Sequence, residues 1–334
     1  MTESDPFLGG AFRAANAEMR EEKSIMTKNP YPYSDSIKRY QTYDYYLRHR
    51  FGGKCFKVSL DGGFTCPNRD GTKGTGGCTF CGGSYHAGYR SLSIPAQFAA
   101  QKELLGKKWK DATRFIAYFQ SFTNTYAPLD VLREKYETAL AEEGVVGLSI
   151  ATRADCLGDD VVDYLRELHE RTYLTVELGL QTVHDETARR IRRGHTYAEF
   201  LEGYRRLEGL NICVHLINGL PGEDRAAMLE TAERVAGLRP HAVKLHLLYI
   251  IEGTPLAEEY RRGEFRALTL DEYVDVTVSQ LERFAPETVI GRVTGDGEKD
   301  KLIAPLWSLK KFVVLNELDK EFLRRDTCQG ILYG

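Results

Sequence analysis

The chain has 334 residues, 42 % hydrophobic and 28 % charged, with a formal charge of −3. That length suffices for one large α/β domain or two smaller ones, and the charge excludes a uniformly basic nucleic-acid coat. No apolar run reaches the ~20 residues of a membrane span, residues 1–28 lack the apolar stretch of a secretory signal, and seven cysteines, an odd number, argue against a disulfide framework. These features predict a cytoplasmic protein, with no membrane partner, whose residues 1–30 form a disordered or tag-like extension.

The pattern predicts a strand over 54–60 (KCFKVSL), a glycine-rich loop, a helix over 94–108 and a strand over 114–119 (RFIAYF). A helix over 129–141 and a strand over 146–151 follow, then a helix over 160–170 and a strand over 174–180 (LTVELGL). Helices over 185–193 and 197–208 lead to a strand over 212–217, a helix over 223–236 and a strand over 242–248. Short apolar strands alternating with helices of three- and four-residue apolar spacing predict a parallel sheet. Six strands fit an open doubly wound sheet or a partial TIM-like barrel. In both, ligands bind at the carboxyl ends of strands. The distinctive polar segments fall at those ends: QSFTNTY (120–126), ATRAD (151–155), Gln181, NGLPGE (218–223) and YIIEGTPL (249–256).

Three cysteines cluster in the loop after the first strand, as Cys66, Cys78 and Cys81 in a C-x₁₁-C-x₂-C run. Crowded glycines there predict irregular backbone able to wrap something and point thiolates inward. Three readings fit: unligated thiols, a structural zinc with Cys55 or His86 as fourth ligand, or a 4Fe–4S cluster on three cysteines with one iron left open. Soft thiolates suit either metal, so spacing leaves the choice open.

CTFC (78–81), with an aromatic before the last cysteine, resembles the cluster loop of radical SAM enzymes, although the first gap is longer than their common C-x₃-C. FKVSLDGGFTCPNRDG, SFTNTYAPLD, ELGLQT, RRGHT, HLINGLPGE, KLHLL and TGDG…LIAPLW resemble the YhcC/YtqA-like subgroup, related to the radical domain of the Elongator catalytic subunit. The resemblance implies an α/β fold, a partial (β/α)6 TIM-like barrel of radical SAM type over 31–284, with cluster loop 61–90 and helical extensions at both ends, the C-terminal one being 285–334. It implies a 4Fe–4S cluster on Cys66, Cys78 and Cys81, S-adenosylmethionine on the open iron, and a reducing electron donor such as flavodoxin or ferredoxin.

Residue roles follow by resemblance. Gln181 would touch the ribose or methionine part, and Arg193 the carboxylate of S-adenosylmethionine. Thr123 and Asn124 stand where the family has a Gly-Gly-Glu-like turn, and Ala151 where it often has an acid. His215 lies at a ligand-contacting position of the fifth strand; Phe80 and the 216–219 backbone through Gly219 would neighbour adenine, and Arg153 either faces the cofactor or pairs with Asp155. A loop from Arg292 through Thr294, Gly295 and Asp296 to Lys299 would cap the barrel mouth.

The subgroup implies tRNA as substrate, with carboxymethylaminomethyl-uridine at the wobble position converted to aminomethyl-uridine. Arg39, Arg48, His49 and Arg50 interleave with Tyr40, Tyr43, Tyr45 and Tyr46, which suits RNA stacking or packing of an N-terminal helix on the barrel. Two other functions remain open: a radical SAM enzyme acting on a small metabolite or protein, and a non-catalytic zinc- or cluster-binding interaction protein.

Overall fold

A computed structural model describes residues 29, 31–83, 89–110, 112–295, 297 and 299–334. The predicted extension, apart from Asn29, lies outside those residues, as do His86 and Asp296. Helix α1 (Tyr43–Phe51) precedes β1 (Phe56–Leu60). The cysteine loop then leads to α2 (Ile94–Lys108), β2 (Phe115–Phe119), α3 (Leu129–Leu140), β3 (Val145–Thr152), α4 (Asp159–Arg171) and β4 (Tyr173–Gln181). Next come α5 (Asp185–Arg190), α6 (Tyr197–Arg206), β5 (Asn211–Asn218), α7 (Arg225–Ala236), β6 (Ala242–Leu247), β7 (Ile250–Ile251) and α8 (Pro255–Arg261). Helix α9 (Leu270–Leu281), β8 (Val289–Arg292), β9 (Leu302–Ala304) and α10 (Lys311–Arg324) finish the chain. No helix among the described residues is long and apolar enough to cross a membrane.

All the expected strands and helices form, and the sheet order is β1-β2-β3-β4-β5-β6-β8, every pair parallel. The edges β1 and β8 do not pair, so the barrel is open along one side. A seventh strand therefore joins the six predicted, supplied by residues beyond 284. Beyond it, Gln41 accepts from the Ile290 N–H and Thr42 bridges to the same residue, so the segment before α1 lies along the β8 edge.

Strand alternation separates two interiors. One face carries Val58, Phe119, Ile150, Val176, Val214 and Leu245, each 0 % exposed and packed against the helices. Each such side chain stabilises by about 1.5–3 kcal/mol relative to exposure. The other face points into the barrel and carries Lys57, Glu177, His215 and Lys244 among smaller residues.

The predicted helix 185–193 stops early, at Arg190, because Arg192 turns into left-handed backbone (φ 51°) and sends Arg193 inward. The N-terminal tyrosines serve packing: Tyr40 stacks on Phe322, while Tyr43 and Tyr46 pack around Cys213, Ala242 and Val289 at the closed end of the barrel. Arg39 is paired with Asp326, and Arg48 with Asp35 and Asp44. This segment lies opposite the strand ends that carry the cysteine loop.

Gly203 in α6 sits on the loop after β3, where an added Cβ would overlap the Ala154 carbonyl. Helix propensity favours alanine by up to about 1 kcal/mol, but backbone cannot yield as a flexible side chain does. We expect Gly203→Ala to destabilise the protein by about 1–2 kcal/mol, net of the propensity gain, in denaturant titration. A raised midpoint would contradict this packing.

Candidate active site

The cysteine loop is tied to the barrel mouth at several points. Thr79 N–H donates to Ile191 O (3.0 Å), Leu256 N–H to Thr79 O (3.1 Å), and Cys81 N–H to Cys78 O (3.0 Å). Asn68 is the central fastener. Its Nδ2 donates to the carbonyls of Arg192 and Arg193, both at 2.8 Å, and lies 3.6 Å from Cys78 Sγ. Arg69 Nη2 lies 3.3 Å from Cys81 O and 3.8 Å from Cys81 Sγ. Donors aimed at sulfur suit ligating thiolates, whose orientation and charge they stabilise.

Cys66, Cys78 and Cys81 line one cavity of about 600 Å³. Among the described residues only Glu177, Cys213 and His215 bring three ligand atoms within 4.8 Å of one another, so the loop cysteines are spread wider than ligands of one ion. Four ligands about 2.3 Å from a zinc would sit closer together than that. Cys55, offered as a fourth zinc ligand, lies before β1, at the opposite end of the strand from the loop, and packs against the cluster of Leu47, Ile116 and Tyr173. As placed, the three thiols together are too far apart to share one tetrahedral zinc.

Of the residues expected around the nucleotide, Phe80, Thr123, Arg153, Gln181, Arg193 and His215 line this cavity. Asn124 and Gly219 do not. Asn124 Nδ2 is spent on Ala151 O (2.7 Å), and its backbone carbonyl accepts from Tyr136 Oη, so the residue ties the loop after β2 to β3 and α3. Gly219 takes φ 88°, and its N–H lies 3.3 Å from Met228 Sδ, facing the helix layer. Arg292 and Gly295 of the expected capping loop reach the cavity, with Gly295 N–H on Tyr249 Oη (3.0 Å).

Gln181 adopts φ 79° at a register shift between β4 and β5, a sparsely populated conformation for a side-chain-bearing residue. Arg153 makes a two-pronged pair with Asp155 (2.8 and 2.9 Å) and donates to Arg193 O (2.8 Å). Burial alone would raise the Asp155 carboxyl, but Arg153 and Lys73 hold it well below the carboxylate range. Arg193 is 5 % exposed, and its guanidinium donates to Gly179 O; among the described residues no carboxylate pairs with it. Burial, reinforced by Arg153, pushes this guanidinium down. A buried cation in that state favours an incoming anion.

A second group was not anticipated by the motifs. Glu177 is 1 % exposed and accepts from Lys57 Nζ (2.9 Å), His215 Nε2 (2.8 Å) and Lys244 Nζ. Lys244 also reaches Tyr118 Oη at 3.1 Å. Burial would raise the Glu177 carboxyl, yet Lys244, Lys57 and His215 hold it well below its ordinary range. Burial pushes Lys244 down to about 8 despite Glu177. The available signal was a charged or imidazole residue inside apolar strands, as in VELGL, VHLI and VKLHL.

With that geometry in view, similarity to known proteins is informative. The Radical SAM superfamily model matches residues 69–235, and the Radical SAM C-terminal domain model matches 240–324. The chain belongs to the radical SAM superfamily. YtqA of Bacillus subtilis (strain 168) is 52 % identical over 311 residues, 92 % of this chain and 96 % of YtqA. YhcC of Escherichia coli (strain K12) is 39 % identical over 293 residues, 86 % of this chain and 93 % of YhcC. The tRNA uridine(34) acetyltransferase of Methanocaldococcus jannaschii is 30 % identical over 167 residues, 45 % of this chain and 30 % of that protein. The solved archaeal Elp3 of Methanocaldococcus infernus, with an N-terminal deletion, superposes with a TM-score of 0.60 at 20 % identity. That superposition covers 81 % of this chain and 64 % of the archaeal chain, so this chain spans under two thirds of it, and it supports the barrel fold alone. As a radical SAM enzyme, this protein takes a 4Fe–4S cluster and S-adenosylmethionine.

Gly194 fixes the junction between radical SAM loop and barrel. It has φ 76°, and an added Cβ would overlap Asn68 Oδ1. We expect Gly194→Ala to cost about 1–3 kcal/mol from strain and to loosen the Asn68 contact to Cys78. Iron bound per chain after anaerobic reconstitution should fall; unchanged iron and stability would show that Asn68 does not brace the loop.

Proposed function

We propose that this radical SAM enzyme acts on tRNA, converting carboxymethylaminomethyl-uridine at the wobble position to aminomethyl-uridine. The observation that carries the reading is the 30 % identity, over 167 residues, to an enzyme named for uridine 34 of tRNA. The mouth of the barrel is consistent with a polyanion. Exposed Arg190 and Arg192 flank Ile191, which holds Thr79 of the cysteine loop, and exposed Lys299 and Lys301 border the strand pair β7–β9. Local cations of this kind serve phosphate contacts even on an acidic protein.

In this reading Cys66, Cys78 and Cys81 hold the cluster, and Arg193 supplies a guanidinium to the carboxylate of S-adenosylmethionine. Gln181, Thr123 and Phe80 border the nucleotide, and Arg153 acts by holding the 193–194 backbone in place. With a flavodoxin- or ferredoxin-like reductant, the bound cofactors would supply removal of one hydrogen atom from the substrate's N–CH2 carbon; return of one electron from that carbon would give an imine, and its hydrolysis after the radical step would release the carboxymethyl group as glyoxylate and leave the amine. The chain's part is to orient the reacting carbon and exclude water inside the barrel.

Mass spectrometry of tRNA nucleosides from cells lacking the protein tests this. Carboxymethylaminomethyl-uridine should accumulate as aminomethyl-type nucleosides disappear. Unchanged wobble nucleosides would overturn the reading and turn attention to a small-molecule or protein substrate.

A further inference from the structure

We propose that the deep layer of the cavity, built from Lys57, Lys244 and Arg292 around Glu177, is a subsite for a carboxylate carried by the substrate. The charge count points there. Among the described residues Glu177 is the sole carboxylate lining the cavity, whereas Lys57, Lys244 and Arg292 line the same region. Among the described residues no carboxylate pairs with Arg292, and both lysines share the one acid. Among the described residues, three cations against one anion leave an excess of two positive charges in a mostly buried layer. Desolvated excess charge is unfavourable until a counter-charge enters, so this layer is poised to accept an anion.

The hydrogen-bonding inventory agrees. Lys57 Nζ has three donors, and Glu177 Oε1 takes one; its head also stands 4.3 Å from the Tyr118 ring centroid and 4.7 Å from that of Tyr43. Lys244 Nζ spends donors on Glu177 and Tyr118 Oη, which leaves one. His246, two residues nearer the mouth on β6, has a buried Nε2 with no hydrogen-bond partner among the described residues. An entering carboxylate would meet free donors on the lysines and this imidazole edge.

Depth selects the kind of anion. Glu177 lies four residues before Gln181, where β4 ends, or about 13 Å below the mouth at ~3.3 Å per residue. Backbone phosphates of a large nucleic acid stay at the mouth; a side chain projecting from a base reaches further. This inference rests on the tRNA reading above for its substrate, and assigns the charged end of the modified uridine's side chain to Lys57, Lys244 and Arg292.

The test uses free nucleosides and binding, so it does not depend on tRNA docking or on turnover. Reconstituted protein is titrated with 5-carboxymethylaminomethyl-uridine and with 5-aminomethyl-uridine, which lacks the carboxylate. We expect the carboxylate nucleoside to bind at least about tenfold tighter, and Lys244→Met to remove that preference. Lys57→Met and Arg292→Gln, which disturb less buried side chains, should each reduce it and guard against misfolding of the Lys244 variant. Equal binding of both nucleosides by the unaltered protein, or a preference that survives all three substitutions, would overturn the subsite. A retained carboxylate preference with unchanged cellular wobble nucleosides would keep the subsite and sink the tRNA reading; the opposite pair of results would do the reverse.

Discussion

Replacing Cys66, Cys78 or Cys81 singly by alanine is expected to give a folded protein without its cluster. Iron and sulfide should fall from about four each per chain to background, and formation of 5′-deoxyadenosine from S-adenosylmethionine should fall with them. The loss should exceed the roughly 10–100-fold that follows removal of a residue which merely orients a ligand. Asn68→Ala belongs in that milder range, because it removes a donor from Cys78 and two loop carbonyls while all three thiols stay. The fold should tolerate the cysteine changes. Cys66 and Cys81 are partly exposed, and the loop is anchored by backbone bonds that do not involve sulfur. Stability changes should therefore stay near 0.5 kcal/mol without bound metal. Cys55→Ala and Cys213→Ala are the controls, since both sulfurs lie toward the closed end of the barrel. Anaerobic reconstitution followed by iron, sulfide and absorbance measurements reads the outcome; an intact cluster in all three loop variants would show that other residues hold it.

The strand–helix alternation was legible because each strand is a short apolar run and each helix carries its own periodicity. The cysteine loop was legible because thiols and glycines are rarely concentrated without cause. Val289–Arg292 escaped: it is four residues long, contains Gly291, and becomes a strand only through pairing with β6. The direction of the Asn124 side chain and of the Gly219 backbone N–H escaped as well. Both stand at strand ends of the right composition, but turn geometry aims one at Ala151 and the other at Met228. Glu177, Lys57 and Lys244 are the fuller lesson. Each is one charged residue in an apolar strand, and only the register that sets Glu177 opposite Cys213, and His215 opposite Lys244, brings them to one level. Register is a property of the assembled sheet and is written in no single strand.

Glu177 carries the largest expected stability effect in the barrel. It is the shared acceptor of Lys57, Lys244 and His215, so Glu177→Ala leaves a lysine that is 4 % exposed beside another cation with no carboxylate between them. Breaking a buried pair by removing one partner costs about 3–5 kcal/mol, well above the cost of losing a surface ion pair. Glu177→Gln keeps the shape and an acceptor but removes the charge, and should fall between the two. The acid side has a defined sign. The folded carboxyl is held well below its ordinary value, so its contribution is fully present above the unfolded value near 4.5 and is lost as pH falls toward the folded one. Acid unfolding of the unaltered protein should therefore be steeper than that of Glu177→Gln, and the two stability curves should converge as pH drops. Denaturant titrations across pH 3–7 measure this. A Glu177→Ala protein as stable as the parent at neutral pH would mean that the lysines discharge or find other partners, and the barrel floor would then hold no excess of positive charge.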